Sequence, residues 1–236
     1  LTIATGQPAY EPWVMNDKPE SGEGYEAAVA YAVADKLGFK KSDVVWTRTA
    51  FDTAIAPGAK DWDFNIQQFG ITDERKKAVD FSSSYYNDSQ SVVVKKDSKF
   101  ANATKVSDLK DATVGVMVGT LAYDYAKANI KDDIQTFNDD AALAQALDAG
   151  QIDVLVTSTV ECVYMVQSEQ VKDSKVLGRL PDSEDKSGMG IVLPKDSKLT
   201  AAVTKAVDDL NADGTIKKLQ DKWLAEYTTD LTELKK

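Results

Sequence analysis

Apolar positions along the chain follow two periods in turn, short runs alternating with a period of two and longer stretches recurring every three to four residues. Residues 1–5, Leu-Thr-Ile-Ala-Thr, predict a strand, and the Gly6 to Trp13 segment, broken by Pro8 and Pro12, predicts a loop. From 25 to 37 the spacing of Val29, Val33 and Leu37, followed by Gly38, predicts an amphipathic helix with a glycine just past its end. A strand at 44–46, a helix at 53–59 shortened by Pro57 and Gly58, and a strand at 64–66 follow. Strand, helix, strand, helix, strand is a doubly wound α/β pattern. A second such unit is expected further on, with strands at 91–95, 113–117, 136–137 and 154–156 and helices opening near Leu121, Asp140 and Ser158. Leu143 and Leu147 mark the inner face of the middle helix and Gly150 ends it. A strand at 190–193 and helices at 198–212 and 215–227 close the chain, and 181–187 reads as a polar loop.

Composition narrows the chemistry. The 236 residues allow two modest lobes or one mid-sized domain, and no apolar run approaches the roughly 18 residues of a membrane span. A formal charge of −10 argues against nucleic acid or an anionic bilayer as a broad-surface partner. Cys162 is the single cysteine and there is no histidine, which excludes an intramolecular disulfide, a Cys/His zinc site and the usual catalytic triad. No cofactor or metal is expected.

The richest stretch runs from Asp63 to Ser82. The strand at Phe64 and Ile66 yields at Gln67 to a polar turn ending at Thr72, a helix N-cap, and a short helix carrying Arg75 is expected after it. A strand end, Gly70 with its backbone open to close approach, freed N–H donors and a guanidinium one turn later would form a carboxylate clamp. The alternative is a solvated arginine beside Lys76 and Lys77. Arginine is otherwise used only at Arg48 and Arg179, which favours a position chosen for its forked geometry. Val118 to Leu121 reads by itself as an ordinary strand-to-helix turn with Thr120 as N-cap.

The pattern D-x-x-I-x-x-x-x-I-T-x-E-R from Asp63, followed by V-D-F-S-x-x-Y-Y from Val79, resembles the polar amino-acid-binding proteins of ABC importers, extracytoplasmic solute-binding proteins of family 3. The resemblance extends to P-x-Y-x-P-W at Pro8, G-Y-E at Gly24, V-G-V-x-x-G-T at Val114, G-x-I-D at Gly150, G-M-G-I at Gly188 and A-D-G-T-x-x-K-L-x-x-K-W at Ala212. It implies an α/β, two-lobed periplasmic-binding-protein-like fold of type II, each lobe a doubly wound mixed sheet flanked by helices, with a two-strand hinge. Lobe 1 would comprise residues 1–90 plus 188–236 and lobe 2 residues 91–187.

The resemblance also implies a function: capture of an amino acid or related small carboxylate by hinge closure, and delivery to a membrane permease. The chain is then expected to be a monomer outside the cytoplasm, periplasmic or anchored as a lipoprotein, with any signal peptide already removed before Leu1. The ligand carboxylate would take Arg75, the N–H of Gly70, and the N–H groups and hydroxyl at Thr120. Tyr10 would lie against the ligand and Phe51 would pack on its aliphatic part, whereas from the residues alone either could be a packing anchor; Trp62 and Phe69 are read as packing residues. Gln67 and Gln68 stand where the family carries small hydroxyl residues, and Gln7 where members binding basic side chains carry an acid. Met117 and Leu121 complete the expected ligand-binding positions with Ser158. At Leu121 the family usually has a hydroxyl residue, and at Ser158 an aspartate that pairs with the α-ammonium group, so amine recognition is expected to be atypical, with Glu161 one place to which the acid could have moved. A sensor module would use the same chemistry. An enzyme on this fold, dehydratase-like, would need a general acid or base, for which Glu11 and Glu161 are the only candidates near the motifs; the expectation is a binding protein without catalysis.

Overall fold

A computed structural model of the chain describes residues 1–228 and 231–236. Contacts divide them into two compact units, residues 1–87 with 185–225 and residues 88–184 with 226–236.

The first unit opens with β1 (Thr2–Gly6), α1 (Tyr25–Lys36), β2 (Val45–Thr49), a short α2 (Phe51–Ile55), β3 (Phe64–Asn65) and β4 (Val79–Tyr86). Gly24 sets the entry to α1: its φ is 99°, and a Cβ there would lie 2.5 Å from the Trp13 carbonyl oxygen, so this turn of the G-Y-E motif admits no side chain. The second unit takes β5 (Gln90–Lys95), β6 (Val114–Met117), α3 (Leu121–Asn129), β7 (Gln135–Phe137), α4 (Asp140–Asp148), β8 (Val154–Ser158), α5 (Thr159–Gln167) and β9 (Ser174–Arg179). The chain then re-enters the first unit with β10 (Met189–Pro194), α6 (Thr200–Ala212) and α7 (Thr215–Trp223).

The two sheets are built alike. The first runs β2-β1-β3-β10-β4 and the second β7-β6-β8-β5-β9, both five-stranded. In the first, β1 pairs parallel with β2 and β3, and β10 pairs antiparallel with β3 and β4. In the second, β6 pairs parallel with β7 and β8, and β5 antiparallel with β8 and β9. The antiparallel strand in each sheet is the one that receives the chain from the other unit. Mixed sheets of this kind bury their central strands on both faces, which is why Val92, Val93, Val94, Ile191, Val192 and Leu193 read as continuous apolar runs.

Several features depart from the sequence reading. The helix expected at 53–59 begins earlier, at Phe51, and the helix expected to carry Arg75 is a single 3₁₀ turn, Arg75–Lys77. Strands β4 and β9 lie where no strand was read. The final segment, expected with the first lobe, packs instead with the second unit: Arg179 donates to the Thr232 carbonyl, Leu234 donates back to Arg179, and the Leu234 side chain is buried in that unit's core. Gly178 permits this, since a Cβ there would stand 2.7 Å from the Thr232 carbonyl oxygen.

Candidate functional site

In the first unit the site residues gather at the carboxyl ends of β1 and β3, where open α/β sheets bind ligands. Asn65, buried at the end of β3, donates to the Thr49 hydroxyl at 2.8 Å, and that hydroxyl donates to the Gln67 amide oxygen at 3.3 Å. The chain then turns through Gln68 in a left-handed conformation, φ 53°. Phe69 drops into the core with its ring 4.7 Å from that of Phe51, so Phe69 and Trp62 are packing residues, as read from the sequence, while Phe51 stays half-buried.

Gly70 forms an antiparallel bridge with Met189 in which Ile71 donates to the Gly188 carbonyl and Gly190 to the Phe69 carbonyl. Those bonds flank Gly70, so its own N–H and C=O both point away from β10. The carbonyl accepts Nη1 of Arg75 at 2.7 Å. Thr72 caps the turn, its hydroxyl taking the Arg75 N–H at 3.1 Å. The guanidinium carbon lies 5.5 Å from the Phe51 ring centre, a cation–π distance. Arg48 is tied to Asp17 and Arg179 to Glu233, and the Arg75 guanidinium holds the Gly70 carbonyl and lies over the Phe51 ring. Burial holds the Asp185 carboxyl above its ordinary range, although its bonds from Gly188 and Ser187 and the charge of Arg75 pull it down. Gln7 is exposed and Tyr10 half-buried on the loop after β1, the Tyr10 carbonyl accepting the Val14 N–H at 2.8 Å.

Gln68 does not point outward as a polar wall. Its N–H donates to Oε1 of Glu26 at 2.7 Å and its side-chain amide to Oε2 at 3.3 Å. Glu26 is fully buried on α1 and also takes the Tyr85 hydroxyl. Glu26 was missed in the sequence. The signal was its place among Val29, Ala30 and Val33 on the apolar stripe of α1, where a charge is not expected without a partner.

In the second unit, Met117 ends β6 nearly buried and Thr120 caps α3. The Thr120 oxygen accepts the Tyr123 N–H at 3.2 Å, and its proton goes to the Met117 carbonyl at 2.8 Å. A hydroxyl has one proton to give, and that of Thr120 is spent within its own turn, where the sequence reading had given it to a ligand carboxylate. Leu121 is the first helical residue and is half-buried. Ser158 caps α5, accepting the Glu161 N–H at 3.4 Å, and its hydroxyl bonds the carboxylate of Asp88. That carboxylate also takes the N–H groups of Ser89 at 2.8 Å and Val160 at 3.3 Å. Burial nonetheless pushes the Asp88 carboxyl up to about 6. The acid beside Ser158 within this unit is therefore Asp88, from a distant part of the chain just ahead of β5, while Glu161 lies buried in the first turn of α5.

Among the described residues, no group of three or more His, Cys, Asp or Glu is placed to hold a metal ion, and no helix is long and apolar enough to cross a membrane.

The model of the bacterial extracellular solute-binding proteins, family 3, matches residues 1–226. The L-cystine-binding protein TcyJ of Escherichia coli strain K12 is 29% identical over 223 residues, which cover 93% of this chain and 81% of that protein. An ancestral arginine-binding protein, solved bound to arginine, superposes with a TM-score of 0.80 at 31% identity, covering 95% of this chain and 98% of that one. The ancestral amino acid-binding protein AncCDT-1, a precursor of cyclohexadienyl dehydratase, does so with a TM-score of 0.78 at 29% identity, covering 94% of this chain and 95% of that one.

Proposed function

The chain belongs to the bacterial extracellular solute-binding proteins of family 3, and we propose that its solute is an amino acid held by its carboxylate on Arg75 and delivered to an ABC permease. The observation that carries this reading is the aim of Arg75: one edge of the guanidinium is fixed on the Gly70 carbonyl at 2.7 Å and its face rests over Phe51. A guanidinium fixed in this way holds its fork at a set angle, which suits a planar carboxylate. The Gly70 N–H, directed to the same side of the strand as the carbonyl, adds a neutral donor. Each charge-assisted bond contributes on the order of 2 kcal/mol.

Within the second unit, the start of α3 at Thr120 presents N–H donors, and beside Ser158 the carboxylate of Asp88 supplies a negative charge, which Ser158 lacks, suited to an amine. The relatives named for arginine and cystine support the amino-acid class. Binding without turnover is the reading the two candidate acids favour: Glu11 accepts the Asn16 N–H at 2.9 Å, and Glu161 is 1% exposed. A general acid must reach its substrate proton.

A thermal-shift screen of L-amino acids, L-cystine and carboxylates lacking the α-amino group tests this. A true ligand at a hundredfold excess over its dissociation constant adds about 2.7 kcal/mol of apparent stability. A screen in which no amino acid shifts the transition would overturn the assignment, and formation of a new product during incubation with the ligand would overturn the absence of catalysis.

A further inference from the structure

Beneath the turn from Gln67 to Gly70 lies an acid that the proposed binding chemistry does not use. Glu26 is 0% exposed, and its three partners, the Gln68 N–H, the Gln68 side-chain amide and the Tyr85 hydroxyl, can all act as donors toward it. Three donors around two oxygens fit a carboxylate; an acid proton could be accepted only by the Tyr85 hydroxyl oxygen, which would then give up its own donation to Glu26. Further bonds tie Tyr85 in place: the Tyr25 hydroxyl donates to the Tyr85 carbonyl at 2.5 Å, and the Gln220 amide of α7 reaches that same carbonyl at 3.4 Å. Gln68 itself occupies the left-handed region at φ 53°, which a glutamine adopts only when its surroundings hold it there.

We propose that Glu26 is a positioning residue for solute binding: as a carboxylate it holds Gln68 in its left-handed turn, and so fixes Phe69 and Gly70, on which the Phe51 ring and the Arg75 guanidinium rest. This builds on the assignment of Arg75 as the carboxylate-binding group. Protonation of Glu26 places a hydrogen on an oxygen that already faces a donor. One of the three bonds then breaks, or the Gln68 amide rotates to turn its oxygen inward, and the turn that carries Gly70 loosens.

Burial pushes the Glu26 carboxyl up to about 7, against the bonds from Tyr85 and Gln68 that lower it, so the change falls near neutral pH. The titratable groups facing it are Tyr25 on its own helix and Tyr85 on β4, and burial drives both phenols upward, so neither changes charge there. Gln68 and Gln220 carry no charge. Asp185, whose carboxyl burial raises and the charge of Arg75 lowers, also bears on that guanidinium and requires its own control.

The test is a pH titration of the full chain by ¹⁵N NMR, following the Gln68 and Gly70 backbone N–H and the Arg75 Nε–H, in wild type, Glu26→Gln, Tyr85→Phe and Asp185→Asn. The three signals are expected to move together with a midpoint near 7, to stay flat in Glu26→Gln and to keep their midpoint in Asp185→Asn. Tyr85→Phe removes a bond that lowers the Glu26 value, so the midpoint moves up; this variant decides the matter even if Glu26→Gln folds poorly. Calorimetric titration of L-arginine and of L-cystine is expected to show affinity about tenfold weaker below the midpoint than above it, with the pH dependence gone in Glu26→Gln. The proposal is overturned if Gln68 titrates while Gly70 and Arg75 do not, or if the pH dependence of binding survives in Glu26→Gln. If neither probe binds, the amino-acid assignment fails separately, and the NMR titration still decides the role of Glu26.

Discussion

Replacing Arg75 by Lys keeps the positive charge and removes the fork, which makes it the most direct perturbation of the proposed clamp. In the structure the guanidinium sets one edge on the Gly70 carbonyl at 2.7 Å and its face on Phe51, and the proposed ligand contact uses the fork held at that angle. A single ammonium can reach the carbonyl or the ligand, but it cannot align two parallel bonds on a carboxylate while keeping the first. The loss is about one charge-assisted hydrogen bond, roughly 1.5–3 kcal/mol, or about a 10- to 150-fold rise in dissociation constant. Folding should change by less than about 1 kcal/mol, because the lost carbonyl bond and aromatic contact are both half-exposed and the lysine stem retains part of the packing. Isothermal calorimetry with L-arginine and L-cystine reads the first quantity, and urea unfolding of the free protein reads the second. An Arg75→Lys variant that binds within about twofold of wild type would refute the clamp, and one that fails to fold would show that Arg75 is structural.

Thr120→Ala removes the cap on α3 and should lower the stability of the protein by about 0.5–2 kcal/mol, whereas Thr120→Ser should leave unfolding nearly unchanged; equal urea midpoints for the two variants would contradict the cap. Asp88→Asn should weaken an α-amino acid more than its des-amino analogue, and Ser158→Asp should strengthen the amino acid selectively, both read by competitive calorimetry; no change of preference in either variant would remove the amine from this place. For Glu26, the folded carboxyl is raised from 4.5 to about 7, so its contribution to stability is fully present below the lower value and is lost as pH rises through the upper one. The slope is about 1.4 kcal/mol per pH unit and the total roughly 3 kcal/mol, so urea midpoints of Glu26→Gln should fall less than those of wild type between acid and mildly alkaline pH. Parallel pH profiles would refute this linkage.

Most of the fold was legible because most elements keep one period throughout. Residues 25–37 do so with Val29 and Val33 inward, and β5 and β10 do so as buried runs. Strand β4 escaped because its alternation is broken: the pairing with β10 shifts register on either side of Gly190, and serines fill the middle of the strand. Strand β9 escaped for a similar reason, with a register shift opposite Val92 and Val93 and Gly178 in its body. Near the candidate site the caps at Thr72 and Thr120 were readable, since each depends on residues a few places apart. What was not readable depends on partners far along the chain. Gln68 turns inward because Glu26 lies 42 positions earlier, and Ser158 meets an acid because Val160 bonds Asp88 72 positions before it.

The two buried acids share one arrangement, and its energetics bear on its purpose. Glu26 underlies the turn at Gln68 and Asp88 underlies the cap at Ser158, each buried and each raised by burial despite several donors. An acid raised in this way costs stability when it is ionised on folding, because burial outweighs the donors around it. The carboxylate offers what an amide cannot, since it accepts on every lone pair and therefore orders three or four donors at once. Around Glu26 those donors set the backbone beneath Arg75, and around Asp88 they set the first turn of α5 and place a negative charge beside Ser158. The stability lost in the ionised state is offset by a fixed geometry at the residues assigned to the solute, a trade common where binding needs preorganised donors. On this argument the two acids differ in one respect that can be measured. Glu26 should influence affinity for every carboxylate through Arg75, while Asp88 should matter only for ligands that carry the amine.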